Sequence, residues 1–175
     1  MHRLFVALRP PAAIRDALSA TMVSVPQARW QDDDQLHLTL RFVGEVDRRV
    51  ADDVAAAIGT VRAERIMARI DGVGSFGHTL WSGVGPRDAL TQLHHKVDRA
   101  LALAGIEPDR RAFAPHVTLA RMPKTAANAP EVLRWLGFHA ALRSGEFELD
   151  RLILYESHLG SEGASYEPVM IQPLA

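Results

Sequence analysis

Among its 175 residues the chain has no cysteine. That absence removes disulfides, thiol nucleophiles and cysteine-based zinc sites together, and it is compatible with a reducing compartment. Lysine is almost as scarce, at Lys96 and Lys124 only, so arginine supplies nearly all of the twenty basic residues. Arginine suits phosphate because its planar fork can bond two oxygens at once, but a composition this rich in alanine accounts for the bias without a ligand. Charge of one sign is lacking too. A formal net charge of −1 gives no global field that would draw the chain onto nucleic acid, so any phosphate recognition has to be local. Long apolar runs are missing: the opening MHRLFVALRPP carries Arg3 and Arg9 and turns at Pro10. It is too short for a signal sequence or a membrane span, and the expectation is a soluble, cytoplasmic protein.

What is present is a 47% hydrophobic composition, enough for one ordinary domain or two small lobes packed together. Within it, QLHLTLRF at 35–42 is echoed by APHVTLAR at 114–121. A strand alternates its faces, so His37 and Thr39 share one side while Leu38, Leu40 and Phe42 take the other. His116 and Thr118 likewise oppose Val117 and Leu119. In a chain with eight His and seven Thr, two chance copies of H-x-T-L have odds of about one in a thousand. The repeat needs a cause.

The surrounding pattern supplies one. RLFVAL (3–8) reads as a strand closed by Pro10 and Pro11, and 12–22 has helical spacing at Ile14, Leu18 and Met22. After the first H-x-T-L strand, 47–61 reads as a helix capped by Asp47, and 65–73 as a strand closed by glycines. The order then begins again. TLWSGV (79–84) is a strand ended by Gly85 and Pro86, followed by a helix stopped at Gly105, the HVTL strand, a short helix at 130–137 and a long strand at 146–157. A last strand around SYEPVM suits a sheet edge because of Pro168. The fold class that follows is α+β, a bilobal fold of two antiparallel sheets with flanking helices around a central cleft, in approximate repeats 1–78 and 79–175. Function is expected between the lobes.

Two histidines facing one another suit a particular task. One neutral imidazole takes a proton from a nucleophile while the other, protonated, gives one to a leaving oxygen, and a pKa near ~6.5 lets both forms exist at neutral pH. Phosphodiester cleavage needs both transfers. A threonine hydroxyl beside each histidine can donate to a non-bridging phosphate oxygen, so that charge building on phosphorus is held without metal.

The paired HLTL and HVTL motifs, with RLFVAL, the RW at 29–30, LWSGV, LYES and GASY, resemble the two-histidine (2H) phosphoesterase superfamily, in its bacterial and archaeal RNA 2′,3′-cyclic phosphodiesterase (2′-5′ RNA ligase) branch. The resemblance spans nearly the whole chain. It implies hydrolysis of a 2′,3′-cyclic phosphate on an RNA end or nucleotide by His37 and His116, with Thr39 and Thr118 on the phosphate, no cofactor, no metal, no membrane and a monomer. It also implies that O3′ leaves, with His37 as the acid and His116 activating water, and that the reverse reaction joins RNA through a 2′-5′ bond. Arg121 matches an arginine that members commonly carry. By strict alternation, however, Arg121 faces away from Thr118, while Arg41 shares the face of His37 and Thr39; both enter as candidate binding residues.

Other readings are another 2H activity, such as RNA end trimming or opening of ADP-ribose cyclic phosphate, a non-catalytic RNA-end binding module, and a metallohydrolase. The last lacks an H-E-x-x-H or any other first shell of ligands. His94 and His95 are expected on a solvated helix surface, and Asp32, Asp33 and Asp34 in an acidic loop. Trp30, Phe5 and Tyr155 are candidates for stacking on a base or for packing.

Overall fold

Apolar residues at Leu4, Val6 and Leu8 give strand β1 (His2–Leu8) a buried face, and the following prolines end it because they offer no N–H to a sheet. Helix α1 (Ala12–Ser19) stops three residues short of Met22, since the Thr21 amide and hydroxyl both donate to the Leu18 carbonyl and tighten the turn. The short β2 (Arg29–Trp30) and the first motif strand β3 (Leu38–Val46) follow. Next comes α2 (Arg48–Gly59), whose N-cap Asp47 accepts from the Val50 amide at 2.9 Å, as its position in the sequence suggests. The remaining elements are β4 (Ile66–Ser75), β5 (Thr79–Gly85), α3 (Arg87–Leu103), β6 (His116–Arg121), α4 (Pro130–Phe138), β7 (Phe147–Leu149), β8 (Arg151–Gly160) and β9 (Gly163–Pro173). This computed structural model describes residues 1–175.

The strands form one path, β7-β4-β5-β6-β3-β1-β8-β9, with β2 beside β6. The two expected sheets are the two halves of that path. They meet at a seam where β3 and β6 share a single pair, Leu38 with Val117. Around the seam the order is palindromic in the sequence repeat: β6 answers β3, β5 answers β1, β4 answers β8 and β7 answers β9. The halves 1–78 and 79–175 are nevertheless not the lobes. Strand β4, from the first half, pairs with β5 of the second, and β8, from the second, pairs with β1 of the first. For the same reason the strand expected at 146–157 is two strands, because the chain crosses at Asp150 from β4's lobe to β1's. Pro168 does sit on the edge strand, at a register shift opposite Tyr155.

Helices α2 and α3 cover one face of this sheet, burying Val54, Ile58, Leu90, Leu93, Val97 and Leu101 in a cluster that also holds strand residues of both lobes. The other face carries the cleft. There Phe5, Ala7, Ile153 and Tyr155 form a separate buried group.

Both motif strands depart from ideal pleating at the same place. Ala7 pairs with Thr39 and Val6 with Arg41, so Leu40 has no partner; Trp81 pairs with Thr118 and Leu80 with Ala120, so Leu119 has none. Each is a β-bulge, two residues opposing one, and each reverses the alternation beyond it. The unpaired carbonyls are both bonded: Leu119 accepts from the Gln31 amide at 2.8 Å, and Leu40 from the His94 Nδ1 at 2.7 Å.

Phe5 lies beside Tyr155, its partner across β1 and β8, at 5.2 Å between rings. In the other lobe Trp81 pairs with Gly74 across β5 and β4. A Cβ on Gly74 would stand 2.1 Å from the Trp81 ring, so glycine is required for the indole to cross that strand. Gly74→Ala is expected to destabilise the protein by about 1–3 kcal/mol through overpacking, with Trp81→Phe in the same chain recovering part of the loss. Urea denaturation measures both, and an unchanged midpoint for Gly74→Ala would show that the indole does not occupy this position.

Candidate active site

One cleft of about 1080 Å³ is lined by His37, Thr39, His116 and Thr118 together, with Phe42, Phe76, Arg121 and Tyr166 among its other walls. The seam brings them together. An antiparallel pair at Leu38 and Val117 sets the two motifs head to tail on neighbouring strands, so each histidine–threonine pair opens onto the same space.

The two imidazoles are anchored alike. His37 Nδ1 lies 2.7 Å from the Gln35 carbonyl, and His116 Nδ1 lies 2.6 Å from the Ala114 carbonyl, in each case two residues back along the chain. A carbonyl oxygen can only accept, so Nδ1 carries the hydrogen in both rings and Nε2 is the atom turned to chemistry. His37 Nε2 is 2.9 Å from the Thr39 hydroxyl, which donates to it when the ring is neutral. Aromatic rings fix the rest of the orientation. Phe5 lies 4.9 Å from the His37 ring and Tyr166 meets it edge-on at 5.2 Å, while Phe76 meets His116 edge-on at 5.1 Å with Trp81 at 6.0 Å.

Arg121 and Arg41 change places relative to the pleat expected of ideal strands. Past the Leu119 bulge, Arg121 returns to the Thr118 face and lines the cleft, exposed. Past the Leu40 bulge, Arg41 stands opposite the core residue Val6 and is 6% exposed. Its guanidinium is bound by Asp98 of α3 at 2.8 Å and by the Phe42 and Glu107 carbonyls, so although Arg41 still touches the cleft wall its side chain is engaged by the scaffold. The same bulge moves Phe42 out of the core. It is 54% exposed on the cleft side, against Phe5.

A sequence model described as the 2′-5′ RNA ligase superfamily matches residues 7–161. The chain belongs to this superfamily. It is 32% identical over 162 residues to an RNA 2′,3′-cyclic phosphodiesterase of Aeropyrum pernix, covering 89% of this chain and 90% of that one. It is 30% identical over 174 residues to the enzyme of the same name from Escherichia coli, covering 96% and 94%. The crystal structure of E. coli LigT complexed with 3′-AMP superposes with a TM-score of 0.81 at 27% identity, over 99% of this chain and 98% of that one.

In this superfamily member the remaining candidates settle as follows. Phe5 and Tyr155 are buried walls behind His37, and Trp30 packs on Trp135. Asp33 pairs with Arg9 and Arg15 and so belongs to the scaffold, and Asp32 closes a capping box with Gln35. His94 is not solvated: it is 5% exposed, stacks on Phe113 and bonds the bulge carbonyl of Leu40. Cleft aromatics that the sequence does not single out include Phe42, Phe76 and Tyr166. Phe76 lay in a glycine-rich turn, Tyr166 in an edge strand and Phe42 on a face assigned to the core. No helix is long and apolar enough to cross a membrane.

Burial pushes His37 down to about 4 from its ordinary value; the Gln35 carbonyl opposes the shift, and Arg9, His116 and Arg121 add to it. His37 is therefore neutral at pH 7 while the cleft holds no anion. The sign of the linkage follows. As pH falls from about 6.5 toward 4, the unfolded chain takes up a proton that folded His37 refuses, so stability declines over that window and the contribution saturates below it. His37→Gln should make the decline shallower between pH 6.5 and 4 in denaturant melts. An identical slope in the variant would place the His37 midpoint near its unfolded value.

Proposed function

We propose that this protein hydrolyses the 2′,3′-cyclic phosphate of RNA ends, or of the corresponding nucleotides, to the 2′-phosphate without a metal ion. The observation that carries the reading is the pair of imidazoles held alike through Nδ1, both offering Nε2 to one cleft beside a threonine hydroxyl. The likeness to the RNA 2′,3′-cyclic phosphodiesterases of Aeropyrum pernix and E. coli supports the substrate class. Since one chain carries both histidines, a monomer is sufficient, and a cysteine-free chain is compatible with the cytoplasm.

The roles divide by surroundings. His116 Nε2 has no protein partner, leaving its lone pair to align and deprotonate a water molecule. His37 Nε2 is already paired with a hydroxyl in a buried setting. A phosphodiester monoanion docking beside His37 brings the opposite charge that burial lacks and raises its pKa, so that Nε2–H forms and can protonate the departing O3′. Thr39 and Thr118 donate to the non-bridging oxygens, and Arg121 supplies an exposed guanidinium on the cleft wall. Attack in line with O3′ leaves the phosphate on O2′. The reverse step, with a 5′-hydroxyl in place of water, forms a 2′-5′ bond.

His37→Ala or His116→Ala should each lower kcat at least ~10²-fold, and the double variant should lose less than the product of the two because the pair acts as a unit. Thr39→Ala and Thr118→Ala should lower kcat more than they raise KM, whereas Arg41→Met should act through stability. Activity should survive EDTA. Chromatography of the product from adenosine 2′,3′-cyclic phosphate should give 2′-AMP; 3′-AMP would reverse the acid and base assignments, and an active His116→Ala enzyme would end the two-histidine reading.

A further inference from the structure

On the sheet face away from the cleft, three strands converge on a group the proposed hydrolysis does not use. Glu156 of β8 stands directly opposite Glu167 of β9, so two carboxylates face each other across adjacent strands, an arrangement that costs stability unless a cation lies between them. Two imidazoles approach the same pair. His158, two residues along β8 and hence on the Glu156 face, has Nε2 3.0 Å from Glu167 Oε2. His2, two residues before the Leu4 that pairs with Glu156, has Nδ1 2.7 Å from Glu156 Oε1. Ligand atoms of Glu156, His158 and Glu167 all lie within 4.8 Å of one another. The face is distinct from the cleft face, because the chain neighbours Tyr155 and Tyr166 point to the His37 side.

We propose that His2, Glu156, His158 and Glu167 form a binding site for one divalent transition-metal ion. Two imidazole nitrogens and two carboxylate oxygens make a four-ligand set of the kind zinc accepts, while the hard ions magnesium and calcium select all-oxygen shells. A 2+ ion balances both carboxylates, whereas neutral imidazoles leave them facing uncompensated. Bond lengths of about 2.0–2.2 Å place tetrahedral ligand atoms about 3.4 Å apart, so Glu156, His158 and Glu167, whose ligand atoms lie within 4.8 Å of one another, need close only by about an ångström, while His2, outside that group but bonded to Glu156, has to turn toward the ion to complete the set. Three of the four side chains are 38–64% exposed and Glu156 is 17% exposed, which gives an ion an open path. The bound ion ties β1, β8 and β9 together behind the Phe5, Tyr155 and Tyr166 wall of His37.

The test uses the full chain without an affinity tag, stripped with EDTA and titrated with Co²⁺ by visible absorption and with Zn²⁺ by calorimetry. One equivalent is expected to bind, with intense tetrahedral Co²⁺ bands and a raised melting temperature. His158→Ala and Glu167→Gln, both at exposed positions, should each weaken Zn²⁺ at least about tenfold, while the double variant His37→Ala/His116→Ala should bind as the parent does. Metal-free melts of each variant check the fold. No saturable binding, undiminished affinity in His158→Ala, or loss of the ion in the cleft double variant would each overturn the site. Unchanged hydrolysis in EDTA together with a lowered melting temperature separates this site from the catalytic proposal.

Discussion

Two strand bulges, at Leu40 and Leu119, set the chemistry of the cleft. In a strict pleat every second residue after a histidine would share its face, and the cleft would be lined by Arg41 on one strand and Ala120 on the other. The extra residue in each strand reverses that order. It delivers Phe42 and Arg121, 79 positions apart like the histidines, to the cleft, and leaves Arg41 and Ala120 buried. Unpaired carbonyls are the cost of a bulge, and burying one without a donor is expensive. Here each is satisfied from outside the ladder, Leu40 by the imidazole of His94 and Leu119 by the amide of Gln31. The buried pair of Arg41 with Asp98 adds a second tie from β3 to α3. Helix α3 thus does more than cover the sheet; it holds β3 in the irregular shape that the site needs.

The exchange of third strands makes the lobes interdependent. Because β4 completes the sheet begun by β5 and β8 completes the one begun by β1, each sequence half lacks one of the two partners its own first strand requires. A single apolar cluster runs through both lobes under α2 and α3. A seam of one residue pair therefore suffices between β3 and β6, since the lobes are joined through the core and by shared strands as well. The narrow seam is what leaves room for a cleft: strands paired along their full length would close it.

Much of this was legible in the sequence because it depends on local order. The H-x-T-L strands, the proline-ended strands before each helix and the Asp47 cap are short patterns whose meaning does not change with tertiary context, and they located both histidines and both threonines on one cleft. What failed to read depended on pairing between distant segments. A bulge is a mismatch of register between two strands, so no inspection of RFVG or LARM alone tells that Arg41 is buried against Asp98 while Arg121 opens onto the cleft. The burial of His94 has the same origin, since its partner is the carbonyl freed by that bulge. The break at Asp150 is invisible because both sides of it alternate well; only the identity of the neighbouring strands divides β7 from β8.

A repeated fold presents a chemical difficulty, for a symmetric pair of imidazoles must act on a bond that has a nucleophile at one end and a leaving group at the other. The anchors are the same in both lobes, down to the carbonyl two residues back, and they fix the same tautomer in each ring. The walls are not. His37 sits against Phe5 and Tyr166 with Tyr155 behind, in a setting that drives its pKa down to about 4, whereas His116 is bordered by Phe76 and by a Trp81 that lies over a glycine. One imidazole is thus held neutral by its surroundings, while the other keeps its Nε2 free of protein partners. In the proposed reaction the phosphate would supply the charge that burial withholds, so that the acid forms only with substrate bound. The sequence repeat gives the two imidazoles, and the places where it is broken, such as Phe42 against Arg121, are what would give the proposed reaction a direction.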